Sequence, residues 1–148
     1  MWVRGILVVM AMFLVAVFAT ARHIVPYAED GTPLRMASHR QLGLPPCTFA
    51  EVTGVPCPSC GMTTSFALLV RGDVGNSSRA NWVGTLLAIA CMLAIPWAIV
   101  SALLGRAVFI RSLERALIFS IMSLLVLMFV RWGVVLALLW WNTTAFRV

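Results

Sequence analysis

The stretch ALIFSIMSLLVLMFVRWGVVLALLWW, residues 116–141, carries one charged side chain, Arg131. As a helix it would be about 39 Å long at 1.5 Å per residue. The hydrocarbon core of a bilayer is roughly 30 Å thick, so such a run reads as a transmembrane helix that crosses with tilt or with interfacial ends. Trp140-Trp141 supplies an aromatic pair suited to the membrane surface, as Trp2 and Trp82 also do. Working outward, residues 82–104 form a second apolar run, in which Pro96 is expected to kink the helix. Residues 2–21 form a third, interrupted only by Arg4. The expectation is an all-α membrane protein of one domain, with about three transmembrane helices.

Composition agrees. The chain has 148 residues, 61% of them hydrophobic and 11% charged, and its mean hydropathy is +0.98. Globular chains average roughly 45–50% apolar and about 25% charged, so the surplus apolar surface requires lipid. The net charge of +6 comes wholly from arginine. These arginines stand singly at the ends of apolar runs, where they suit anionic head groups rather than nucleic acid. The expected partners are therefore the lipid bilayer and other membrane protein subunits.

Residues 2–21 also have the outline of a signal peptide, ending in Ala19-Thr20-Ala21 as a cleavage site. Their length and flanks favour a retained helix. Arg4 before the first span, and Arg106, Arg111 and Arg115 between the second and third, place those segments on the cytoplasmic side. The long segment 22–59 then faces outward, as does the tail from Asn142 to Val148.

Segment 22–59 is an outer loop. Pro26, Pro33, Pro45, Pro46 and Pro56 break helices there, with turns expected at Glu29-Asp30-Gly31 and Thr53-Gly54. Residues 60–71 are apolar but too short to span, so they predict an interfacial or re-entrant helix stopped at Gly72. Asn76-Ser77-Ser78 is expected to connect it to the second span, and Arg111, Glu114 and Arg115 to form the next short loop.

Three cysteines converge on the end of the outer loop. Cys47 precedes Thr53-Gly54-Val55-Pro56-Cys57-Pro58-Ser59-Cys60-Gly61-Met62-Thr63. Cys57 and Cys60 make a CxxC at an expected helix start, where free N–H groups and the helix dipole lower a thiol pKa. The spacing lets two sulfurs form a disulfide or share a metal. Pro58 suits a first helical turn, and Gly61 leaves room for another backbone or a ligand. The plainest reading is structural, with one disulfide stapling the loop and one thiol left over. A second is redox chemistry by Cys57 and Cys60, with Cys47 as resolving partner, in a loop on the disulfide-permissive side. A third is zinc on Cys47, Cys57 and Cys60, completed by His39 or His23. Cys91, inside the second span, reads as a packing residue.

The run Cys57-Pro58-x-Cys60-Gly61-x-Thr63, with Thr53-Gly54 and Cys47 before it, resembles the domain-of-unknown-function 2752 family of small bacterial membrane proteins. The resemblance spans roughly Gly43 to the end of the second span. It implies a multi-pass protein of the bacterial inner membrane and lends no established activity. Two positions depart from the family pattern. Thr64 stands where an arginine is usual, which leaves that role lost or moved to Arg71. Asn81-Trp82 stands where Asn-Pro is frequent.

Arg131 lies near the middle of the third span. An intramembrane guanidinium is costly and often functional, which points to a contact with the short helix, a lipid phosphate or a partner subunit. The plainer alternative is a helix shifted in depth so that Arg131 reaches an interface. Thr63, Thr64 and Ser65 are expected to bond back to their own helix carbonyls. His23 and His39 read as solvated or interfacial side chains outside the zinc hypothesis. No nucleophile–base pair, phosphate loop or carboxylate pair is present, and no acid lies within a span, which disfavours transport. The leading expectation is a small non-enzymatic accessory subunit or assembly factor of a membrane complex. The alternative is a membrane thiol–disulfide oxidoreductase using the CxxC, followed by a zinc site.

Overall fold

The computed structural model describes residues 2–108 and 112–145, with the side chains of all but Leu113 and residues 142–145. Arg111, assigned above to the second loop, and residues 146–148 of the tail lie outside the described residues. Among the described residues five α-helices follow one another: α1 (Trp2–His23), α2 (Thr48–Thr53), α3 (Met62–Leu69), α4 (Val74–Leu104) and α5 (Leu113–Ala145). A 3₁₀ helix, Ser38–Leu42, precedes α2. Among the described residues there is no strand, only an isolated bridge between Tyr27 and Pro33. Helices α1, α4 and α5 are long and apolar enough to cross a membrane, so the chain is an all-helical, multi-pass membrane protein.

Helices α1 and α4 run antiparallel and meet where side chains are small. Leu7, Ala11 and Ala98 form a buried cluster flanked by Met10, Trp97 and Ala102. Lipid tails are as apolar as leucine, so close backbone approach rather than apolar burial holds such helices together. The N-terminal end of α1 also closes the C-terminal end of α4. Arg4 Nε donates to Ala102 O at 3.0 Å and Nη2 to Leu103 O at 2.8 Å. The last carbonyls of a helix lack partners within it and carry the negative end of its dipole, so a guanidinium is well placed there. Arg71 does the same at the other end, donating to Ala21 O, Arg22 O and Ala67 O. It ties the ends of α1 and α3 together.

The short apolar helix expected over 60–71 is α3. It buries Thr64, Ser65, Ala67, Leu68 and Leu69, and packs on α4 where Gly84 leaves room for Ser65 Oγ. Back-bonding within α3 holds only for Ser65, whose hydroxyl donates to Met62 O at 2.7 Å. Thr64 instead donates to Ser38 Oγ at 2.9 Å and fastens the 3₁₀ helix. Ser77 donates to Ser65 O at 2.8 Å, and its hydroxyl meets that of Thr85 at 2.7 Å. Every buried side-chain polar atom among the described residues has a partner, as the low dielectric of such a site requires.

Two connections differ from the expectation. Asn76-Ser77-Ser78 is helical, because Asp73 caps α4 by accepting the Asn76 N–H at 3.1 Å. The second span nevertheless starts afresh at Trp82, since Asn81 is extended (φ −159°, ψ 100°). Asn81 Oδ1 accepts the Gly84 N–H at 3.1 Å, an N-cap for the helical stretch that follows. The helix continues through Pro96. Glu114 and Arg115 belong to α5 rather than to the loop. The Ser112 hydroxyl accepts the Arg115 N–H at 3.4 Å, and Glu114 suits the positive end of the helix dipole. The outer loop, too, contains helix, in α2 and the 3₁₀ turn.

Candidate functional site

The thiol site is built on a turn that three side chains hold in place. Cys60 N–H closes the turn onto Cys57 O at 3.1 Å. Trp132 Nε1 donates to Pro56 O at 2.9 Å, Arg131 Nη1 to Pro58 O at 3.4 Å, and Asn81 Nδ2 to Cys60 O at 3.2 Å. Alternate carbonyls of the CxxC segment are thus anchored to α5 and to the break in α4. Arg131 Nη2 also donates to Ala80 O at 3.0 Å, bridging the turn and α4. Its partners are therefore carbonyls of its own chain. Trp132 meets Phe49 of α2 edge-on, with ring centroids 6.0 Å apart, which brings Cys47, just before α2, toward the turn.

Gly61 completes the clamp. Its φ is +85°, and a Cβ there would lie 2.7 Å from Ala80 O and 2.8 Å from Arg35 O. Glycine is required both by the left-handed backbone and by the close approach of two other segments.

The three sulfurs converge. Sγ atoms of Cys47, Cys57 and Cys60 all lie within 4.8 Å of one another. Cys57 and Cys60 are 3.0 Å apart, and Cys57 N–H donates to Cys60 Sγ at 3.3 Å. Ser59 Oγ lies 3.3 Å from Cys57 Sγ. All four cysteines of the chain are free thiols here. Cys47, Cys57 and Cys60 line a pocket of about 280 Å³ together with Ala37, His39, Leu44 and Thr63.

The electrostatics of the pair are asymmetric. Partial burial alone would raise the Cys57 thiol, but hydrogen bonds from Cys60, Ser59 and Cys47 outweigh it and bring Cys57 down to about 7. Burial, then the proton shared with Cys57, pushes Cys60 up to about 12. The thiolate therefore resides on Cys57, with Cys60 as its S–H donor. The expected cause was the helix N-terminus. Among the described residues no α3 backbone N–H donates to a sulfur; α3 begins at Met62, after the turn.

The other sequence candidates divide. His39 lines the pocket, but its Nε2 pairs with Pro45 O at 3.2 Å, and it is not among the convergent ligand atoms. His23 is exposed at the end of α1. Arg71 reaches α1 rather than the thiols. Trp132 was not singled out by sequence, and Asn81 only within the Asn81-Trp82 pair, without a role at the site. Asn81 carried a signal, an N-cap residue immediately before an apolar run. Trp132 carried none beyond its place beside Arg131.

Residues 47–95 match the family model described as Protein of unknown function (DUF2752). The match covers about a third of the chain and takes in all three site cysteines, α3 and most of α4. It supports the resemblance carried by the cysteine motif. Neither the curated proteins nor the solved structures contain a match to this chain.

Proposed function

We propose that the chain is a membrane thiol–disulfide exchange protein, with Cys57 as attacking thiolate, Cys60 as its resolving thiol and Cys47 as third thiol. The observation that carries this is the 3.0 Å separation of Cys57 and Cys60 sulfurs with Cys47 alongside. In the forward direction, Cys57 S⁻ attacks one sulfur of a substrate disulfide. The substrate S–S bond breaks, a mixed disulfide forms, and the departing thiolate takes up the proton that Cys60 loses. Cys60 then attacks Cys57 Sγ, closing an internal disulfide and releasing the second substrate thiolate, which is protonated from water. Two electrons pass from the Cys57–Cys60 pair to the substrate; the reverse sequence oxidises a substrate dithiol. Cys47 is near enough to exchange into that disulfide.

Zinc fits less well. Tetrahedral zinc with Zn–S bonds of about 2.3 Å sets sulfurs about 3.8 Å apart, wider than the Cys57–Cys60 separation. The fourth ligand would be His39, whose ring is not among the ligand atoms that converge with the three sulfurs. The order of the sequence expectations therefore changes, with thiol chemistry ahead of a purely accessory role. The accessory reading keeps one observation in its favour: no described α5 side chain is buried, so the helix presents exposed apolar side chains, Phe119, Met122 and Val126 among them, to which another subunit can pack. Co-purification of a membrane protein that is lost on lengthwise substitution of α5 would support it; a monodisperse monomer from native membranes would count against it.

The test is reaction of the reduced protein with glutathione disulfide, with products mapped by peptide mass. Wild type is expected to yield a Cys57–Cys60 disulfide, and Cys60→Ser to accumulate glutathione on Cys57. Thiols that stay inert until a chelator is added would overturn the proposal.

A further inference from the structure

Beside the thiol pocket lies a second groove, between α1 and α3, with a volume of about 430 Å³. Its walls include Phe13, Ala16, Leu42 and Phe66, and it shares Met62 and Thr63 with the thiol pocket. Phe13 is 65% exposed on a membrane-spanning helix, so the groove opens toward lipid. The segment leading into the thiol site is apolar as well: Leu42, Leu44, which lines the thiol pocket, Phe49 and Val52 are all exposed. Glu51 is the single charge in residues 42–55. Past Arg131 and Trp132, which hold the turn, α5 continues through apolar residues to Trp141, about 15 Å of further helix. By α5 the CxxC turn therefore lies alongside the apolar slab rather than beyond it, beside a groove that lipid-soluble molecules can enter.

Thr63 joins the two spaces. Its hydroxyl has no hydrogen-bond partner among the described residues, and it faces both groove and thiol pocket. A groove of this size holds a single substituted ring, flanked by two phenylalanines, with a hydroxyl free to donate to a ring carbonyl.

We infer that the groove binds the head group of a lipid-soluble quinone, which serves as electron acceptor for the Cys57–Cys60 pair. This rests on the thiol–disulfide reading above. The Cys57 thiolate and Cys60 join in one S–S bond as the Cys60 S–H bond breaks; two electrons pass to the ring, which takes one proton from Cys60 and one from water, and its two carbonyls become the hydroxyls of a quinol. The disulfide so formed is then available to oxidise a substrate dithiol by exchange.

The experiment uses the reduced full chain in lipid nanodiscs without oxygen. The probe is a fully ring-substituted benzoquinone with a short alkyl tail, which cannot add thiols to the ring. Quinone absorbance and intact mass are followed together. Wild type is expected to reduce one quinone per chain while losing two hydrogens, and Cys57→Ser to reduce none. Ala16→Trp, which fills the groove from α1, is expected to slow quinone reduction at least tenfold while exchange with glutathione disulfide continues at the wild-type rate. Thr63→Val is expected to slow quinone reduction severalfold. Glutathione exchange without quinone reduction, or quinone reduction indifferent to Ala16→Trp, would overturn the quinone site and leave the exchange reading standing. Loss of both reactions in wild type would overturn both.

Discussion

At the scale of single residues, the site depends on groups that bring no chemistry of their own. Gly61 is the clearest. Alanine there meets two backbone oxygens at under 3 Å in a left-handed conformation. Left-handed backbone alone costs a non-glycine residue about 1–2 kcal/mol, and overpacking commonly adds about 1–3 kcal/mol. Gly61→Ala is expected to lower the unfolding free energy in detergent by about 2–5 kcal/mol; an unchanged thermal midpoint would refute the crowding. Asn81 separates two roles. Asn81→Ala removes an N-cap worth about 1 kcal/mol and leaves Cys60 O without its donor, another 1–3 kcal/mol. Asn81→Ser keeps the cap and loses only the reach to Cys60, so unfolding measurements should place it between wild type and alanine. The motif made the cysteines legible. Their grouping was legible as well; what the sequence did not reveal is the contact that brings Cys47 in, Trp132 meeting Phe49 across residues far apart in the chain.

At the scale of elements, the lengths and apolar character of α1, α4 and α5 were legible from runs of apolar side chains. Their starts were less so. Asp73 and Asn81 are both capping residues, and the sequence reading took neither, treating the polar Asn76-Ser77-Ser78 as loop. Those hydroxyls and amides are polar yet serve a helix whose inner face is hydrogen-bonded to α3, so polarity did not mark exposure. Arg131 belongs to this scale, because it joins α5 to both the CxxC turn and α4. Hydrogen bonds from a charged donor contribute about 1.5–3 kcal/mol each. Arg131→Leu is expected to free the turn, seen as faster amide hydrogen exchange across residues 56–61 than across α1. Trp132→Phe, losing only the bond to Pro56 O, should show a smaller effect of the same kind. Equal exchange in all three proteins would mean that α5 does not hold the turn.

At the scale of the whole molecule, a bundle of α1, α3 and α4 carries a small polar turn at one end, and α5 braces that turn. The arginine rule gives an expected orientation, with Arg4 and Arg106 on the cytoplasmic side, and cysteine accessibility to a membrane-impermeant reagent on either side of intact vesicles tests it. The account predicts labelling of Cys57 from the side opposite Arg4. The central claim is the asymmetric thiol pair, and alkylation followed by intact mass, across pH and with and without chelator, tests it most directly. The thiolate is the reactive form, so labelling of Cys57 should rise with pH, reach half its plateau at about 7, and fall about tenfold per unit below that. Cys60 should remain slow at pH 9, because its thiol is held up at about 12. Cys60→Ala should shift the Cys57 midpoint upward by removing its S–H donor, and chelator should change nothing. Three thiols protected together at every pH, and released together by chelator, would contradict the account and make the site a metal centre.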